Sequence, residues 1–238
     1  MNLNFGLLSY LFPSGTPILL YFGLLFAVML IAYLLGSLNS AIIISRLVYK
    51  DDIKTKGSGN AGMTNMLRSF GGRAALLTLF GDLLKTAVAV GLAGFIFGFM
   101  YAGGVSFSEA CYLVGLFAVL GHIFPVFYKF KGGKGVLVTS AMALFLTPPC
   151  FLILLVIFVI IVALSKYVSL GSVSVAFLYP VVLSGYLKMF GAPTNGLMIT
   201  VTIILAVTII VCHRKNLERI SNRTENKLSF KKKEKSDE

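Results

Sequence analysis

Uncharged apolar runs long enough to cross a bilayer constrain this chain more than any short motif does. Ile18 to Ser45 and Ala110 to Tyr128 contain no aspartate, glutamate, lysine or arginine, and Ala74 to Met100 is interrupted only by Asp82 and Lys85. About 20 apolar residues in a helix cover the hydrocarbon core, so each run is read as a crossing. Val168 to Leu187 and Gly196 to Cys212 read as two more. Composition agrees: 57% of the residues are hydrophobic and 13% charged, a balance that a water-soluble domain cannot hide. No charge precedes Arg46. The amino terminus therefore lacks the basic region and cleavage site of a secretory signal, and the first span is expected to be retained.

The segment from Val136 to Leu164 is too long for one untilted helix, and "LTPPC" at its centre supplies a proline pair suited to a turn. Basic residues decide how often it crosses, because short loops rich in Lys and Arg stay cytoplasmic. All but Lys85 and Lys188 of the 21 lysines and arginines fall within residues 46–73, 129–135 and 165–169 and in the tail from Arg214. The second and third of these clusters then share a side, so 136–164 is expected to be a hairpin of two arms of about 14 residues, each reaching ~21 Å. The expected fold is an all-α integral membrane protein of seven transmembrane helices, two of them a short hairpin, with the N-terminus outside and the C-terminus cytoplasmic. Residues 1–213 form one polytopic domain and 214–238 a basic cytoplasmic tail.

The formal charge of +12 points to a membrane surface and not to nucleic acid, because the basic residues flank apolar spans. Cys111, Cys150 and Cys212 lack C-x-x-C or Cys/His ligand spacing, so neither a zinc site nor a disulfide framework is expected.

With this topology four unusual polar stretches reach the cytoplasmic face: "KGSGNAGMTNMLR", "GHIFPVFYKFKGGKG", "SKYVSLGSVS" and "CHRKNLERISNRTENK". Each alone is explained by turns, snorkelling lysines or small-residue packing; their convergence points to a site. In the first, a helix over about Gly62 to Ser69 places Thr64 and Asn65 on the face of Arg68. In the second, Lys129, Lys131 and Lys134 surround Gly132, Gly133 and Gly135 at a helix entry, an arrangement suited to cradling phosphate. It is not G-x-x-x-x-G-K-[ST], so a nucleoside triphosphate is not indicated. His213 and Asn216 share a face where the last helix emerges, and His122 is placed to orient the loop that follows it. Asp82 and Lys85, at i and i+3 inside a span, read either as a structural ion pair or as part of the site.

Together these stretches, with "GDLLKTA", resemble the acyl-phosphate:glycerol-3-phosphate acyltransferases of the PlsY type over roughly Leu35 to Lys227. The resemblance implies transfer of a fatty acyl group from acyl phosphate to the sn-1 hydroxyl of glycerol 3-phosphate. The products are lysophosphatidic acid and phosphate, in the first step of phospholipid synthesis at the bacterial plasma membrane. It implies Ser58, Arg68, His213 and Asn216 as catalytic residues. Asn60, Thr64 and Asn65, the loop of Lys131, Gly132, Gly133, Lys134 and Gly135, and Ser169 and Ser172 are implied to bind substrate. The enzyme that makes acyl phosphate is an expected partner. Ala61 and Met63 stand where proline and alanine are usual, and Gly171 stands where serine is commoner, which removes one expected hydroxyl.

Both substrates carry phosphate, which suits a site with many donors and few acids. Acyl phosphate is a mixed anhydride already activated, so no acyl-enzyme nucleophile, metal or cofactor is required. Either His213 or a substrate phosphate accepts the hydroxyl proton. An acyl-CoA or acyl-carrier enzyme would carry H-x-x-x-x-D, but the fifth residue after His122 is Phe127 and after His213 is Glu218. A permease would be expected to show an inverted repeat, and none is visible.

Overall fold

The protein is described here from a computed structural model covering residues 17–98, 106–190 and 196–228, in which every regular element is helical. The extreme amino terminus, most of the loop expected at 101–108, the 191–195 connection and the end of the basic tail lie outside the described residues.

The first apolar run does not form one helix. α1 (Ile18–Ser37) ends at Leu38, and α2 (Ser40–Leu47) begins under a cap from Asn39, whose Oδ1 accepts the Ile42 N–H at 3.1 Å. Broken backbone at membrane depth leaves carbonyls that need internal donors. Lys85 Nζ supplies them, donating to Gly36 O at 3.2 Å and Leu38 O at 3.3 Å.

α3 (Met63–Phe70) is a short surface helix, and α4 (Gly72–Phe97) and α5 (Phe107–Ile123) follow as long apolar helices. α5 is the most enclosed, packing on α1 and α4 on one side and on further helices on the other. Backbone proximity explains its small residues. A Cβ on Gly36 of α1 would overlap the Ala118 carbonyl, and one on Gly121 would overlap the Tyr33 carbonyl.

The expected hairpin is present but asymmetric. α6 (Val136–Leu146) has 11 residues and α7 (Pro148–Ser165) has 18, with the break at Thr147 and not between the prolines. Pro148 and Pro149 instead open α7, where a missing N–H breaks no helical bond. α8 (Val168–Met189), α9 (Gly196–Cys212) and α10 (Arg214–Ser221) complete the order.

Among the described residues, five helical spans are long and apolar enough to cross a membrane, α1 and α2 counting as one. The α9–α10 pair, bent by 54°, makes a sixth. α6 reaches only ~17 Å at 1.5 Å per residue. One core joins α1, α4 and α5 through Tyr21, Val28, Ala93 and Val114. A second joins α5 to α9 through Tyr112, Met142, Leu154, Tyr179 and Leu205. Outward residues such as Phe80, Leu84, Val156 and Ile160 are exposed and apolar, as lipid contact requires.

Residues after 213 do not hang free. α10 folds back, and the Leu228 N–H donates to Lys166 O at 2.7 Å, so the start of the tail belongs to the structural body.

Candidate active site

The turn before α3 is organised by one buried side chain. Asn65 Oδ1 accepts the Ser58 N–H at 3.0 Å, and its Nδ2 lies 3.0–3.3 Å from the carbonyls of Ile53, Lys56 and Asn60. The amide that the sequence placed in the substrate site is therefore occupied in shaping the loop. Gly57 and Gly59 take positive φ, conformations a side chain disfavours. Asn39 Nδ2 donates to Ala61 O at 3.3 Å and ties this loop to the break in the first span. Ser58, Asn60, Thr64, Asn65 and Arg68 line a cavity. Ser58 and Arg68 are exposed, and Arg68 Nη2 lies 3.5 Å from Asn226 O.

The glycine-rich loop departs from the expected phosphate cradle. The Gly132 N–H donates to Ile123 O and the Gly133 N–H to His122 O, both at 3.1 Å, so these amides satisfy the end of α5. Both glycines are required by close approach: a Cβ on Gly132 would overlap the His122 carbonyl, and one on Gly133 the His122 ring. Lys131 is exposed and lies outside the cavity lining. The donors that do face the cavity come later. Gly135, at φ +80°, caps α6, and the first helical bond runs from the Thr139 N–H to Gly135 O. The N–H groups of Val136 to Val138 precede that bond and leave a positive helix end beside the lining residues Gly135, Val136 and Leu137.

Lys134 Nζ donates to Asn216 Oδ1. Burial pushes its ammonium down to about 8, against the pull of the Glu225 carboxylate. Asn216 Nδ2 donates to Ser169 Oγ at 3.0 Å and to Glu225 Oε1 at 2.7 Å, and Ser169 Oγ donates to the same carboxylate oxygen. Arg219 Nε completes the set, donating to Glu225 Oε2 at 2.7 Å. Burial raises the Glu225 carboxyl, but the hydrogen bonds from Ser169, Arg219 and Asn216 outweigh it and hold the group below its ordinary value. Ser172 Oγ donates to Val168 O at 2.9 Å within α8. Gly171 faces Val162 and Phe158 of α7, where a Cβ would come within 2.8 Å, so no cavity hydroxyl is lost there.

His213 sits at the break between α9 and α10. Its Nδ1 lies 2.8 Å from Ile209 O; a carbonyl only accepts, so Nδ1 carries the proton and Nε2 is the acceptor. Burial, reinforced by the Lys134 charge, pushes this imidazole down to about 4, so it is neutral at pH 7.

Asp82 and Lys85 form the internal ion pair, 2.8 Å apart, with Ser40 Oγ donating to Asp82 Oδ1 at 2.9 Å. Asp82 and His122 line the cavity as well, so the pair adjoins the site and braces it.

The cavity is about 470 Å³. Its lining combines the polar side chains of Arg68, Lys134, Ser58, Ser169 and His213 with the apolar ones of Leu144, Leu154, Phe158, Val175 and Tyr179. Such a cavity accommodates a ligand with an anionic head and an apolar chain.

Residues 26–223 match the family model described as glycerol-3-phosphate acyltransferase. The chain belongs to the glycerol-3-phosphate acyltransferase family. The glycerol-3-phosphate acyltransferase of Syntrophomonas wolfei is 39% identical over 86% of this chain and 97% of its own, and that of Bacillus subtilis is 38% identical over 84% and 96%. Two crystal structures of PlsY, an integral membrane glycerol 3-phosphate acyltransferase, share the fold. The glycerol 3-phosphate form is 30% identical with a TM-score of 0.75, covering 86% of this chain and 96% of that one. The lysophosphatidic acid form is 29% identical with a TM-score of 0.72.

Within this acyltransferase, the sequence had passed over Glu225 and Arg219. Two acids in a strongly basic run, "RKNLERISNRTENK", are the signal that could have exposed the first, because a carboxylate among cations is poised to organise them.

Proposed function

We propose that this protein transfers an acyl group from acyl phosphate to the sn-1 hydroxyl of glycerol 3-phosphate, releasing lysophosphatidic acid and phosphate. The observation that carries the reading is the cavity, whose lining joins Lys134, Arg68 and the start of α6 with apolar side chains of α7 and α8. The hydroxyl oxygen bonds to the acyl carbonyl carbon, the carbon–oxygen bond to phosphate breaks, and the phosphate leaves. Lys134 and Arg68 neutralise the two anions, with Ser58, Asn60, Thr64 and Ser169 around them. The free N–H groups of α6 serve the phosphate or the developing oxyanion.

His213 Nε2 accepts a hydrogen bond from the attacking hydroxyl and orients it. An imidazole near 4 is a weaker proton acceptor than a phosphate whose second pKa is about 6, so the leaving phosphate takes the proton. Asn216 positions Lys134.

The reading extends to topology: seven helices in a bacterial plasma membrane, N-terminus outside, C-terminus cytoplasmic, and an acyl-phosphate-making enzyme as supplier. In its support, Lys134 before α6 and Ser169 after α7 both meet Asn216, so the two arms start and finish at the same end of the bundle. Purified protein in detergent, given acyl phosphate and glycerol 3-phosphate, is expected to release lysophosphatidic acid and phosphate in equal amounts, and acyl-CoA is expected not to replace the donor. No product from acyl phosphate refutes the reading.

A further inference from the structure

The chain has two histidines, and their surroundings force opposite tautomers. His122 is 3% exposed and its Nδ1 lies 2.9 Å from Lys85 Nζ. Lys85 also bonds Asp82 Oδ1 at 2.8 Å and lies within reach of Gly36 O and Leu38 O, so it is an ammonium surrounded by acceptors. An ammonium has hydrogens and no lone pair, so His122 Nδ1 accepts. The ring proton therefore sits on Nε2.

That N–H has no hydrogen-bond partner among the described residues. The ring lines the cavity, and Nε2 lies over Gly133, close to Ala61 O at the end of the first loop. A donor that opens onto a cavity without a protein partner offers a place for an acceptor on the ligand. Thr139 Oγ1, a buried hydroxyl without a partner among the described residues, lies at the end of the first turn of α6 and lines the same cavity. Gly133 keeps the position open, since any side chain there would cover Nε2.

We infer that His122, held as its Nε2–H tautomer by the Asp82–Lys85 pair, donates a hydrogen bond to a phosphate oxygen of a substrate. This rests on the proposed reaction, and it gives the buried ion pair a role in the chemistry. A neutral donor adds a contact without a further charge next to Lys134. His122 thus donates where His213 accepts.

The test separates the two ring nitrogens. Glutamine places its amide near the Nε2 position, whereas asparagine reaches only as far as Nδ1. His122→Gln is expected to stay within about tenfold of wild-type kcat/KM, and His122→Asn to lose a further tenfold to hundredfold, the range for a hydrogen bond to a charged group. The rise in KM falls on glycerol 3-phosphate if its phosphate is the acceptor, and on acyl phosphate if the donor's is. A role confined to accepting from Lys85 predicts the reverse order, with asparagine the better substitute; that order, or equal losses, overturns the assignment.

Nitrogen-15 spectra of histidine-labelled wild type in detergent at pH 7 give a readout free of turnover. They are expected to show protonated Nε2 at His122 and protonated Nδ1 at His213, with the His122 Nε2 resonance moving as glycerol 3-phosphate or inorganic phosphate is added. A protonated Nδ1 at His122, or no movement with either anion, overturns it. If no lysophosphatidic acid forms even with wild type, the proposed reaction falls, while the spectra still decide His122.

Discussion

Replacing Lys134 by arginine isolates the charge that the proposed chemistry depends on. Burial brings the lysine from 10.5 to about 8, so the cation is present below pH 8 and is lost as pH rises through it. The pH profile of kcat/KM reports the groups of the free enzyme. With a single pKa of 8, the protonated fraction falls about tenfold between pH 7 and pH 9, and kcat/KM for glycerol 3-phosphate should fall with it. Arginine stays charged throughout this range, so the alkaline limb should vanish in Lys134→Arg, although its planar fork will lower the absolute rate. Bound phosphate stabilises the ammonium, so the wild-type kcat limb should lie at higher pH than the kcat/KM limb. Initial rates of lysophosphatidic acid formation at subsaturating glycerol 3-phosphate, from pH 6 to 9.5 and corrected for uncatalysed donor hydrolysis, measure this. An acid limb near the substrate phosphate's own pKa of ~6 should appear in both enzymes and acts as an internal control. An alkaline limb still near 8 in the arginine variant, or a wild type flat to pH 9.5, refutes the role given to Lys134.

Glu225→Gln removes a carboxylate held by Ser169, Asn216 and Arg219. A loss of ~2 kcal/mol lowers the melting temperature in detergent by about 4–8 °C. Because the folded carboxyl is depressed, that contribution is present above the ordinary carboxylate pKa and is lost as pH falls through the folded value. The difference from wild type should therefore shrink below about pH 4; a difference that persists there assigns the effect to packing. Asp82→Asn leaves the Lys85 ammonium buried without its counter-charge and should cost about 3–5 kcal/mol on thermal denaturation. Asn65→Ala releases the Ser58 amide and three carbonyls together, so protease should cut between Lys54 and Arg68 in the variant and spare wild type.

Much of the architecture is legible because membrane helices must carry their apolar side chains in continuous runs. α4, α8 and α9 lie within about three residues of the runs read from Ala74, Val168 and Gly196. The break in α1–α2 has one local signal, the capping Asn39, and what makes the break tolerable is Lys85, distant in sequence. The hairpin was foreseen from the basic loops, but its turn was misplaced because two prolines start a helix as readily as they end one.

In the site, the sequence by itself determined which polar segments gather and that their chemistry suits phosphate, because four donor-rich stretches converging on one membrane face supply positive charge and few acids. Tertiary structure decided which atoms are available. Asn65 and the amides of Gly132 and Gly133 are engaged in building the loops, and Lys131 is exposed and outside the cavity lining. His122 and Glu225 entered the site through contacts that span long separations in the chain, to Lys85 and Ser169, and Arg219 through its bond to Glu225. Sequence specifies residue types, but whether a donor meets a ligand or another part of the protein depends on three-dimensional neighbours, because each hydrogen can be given only once.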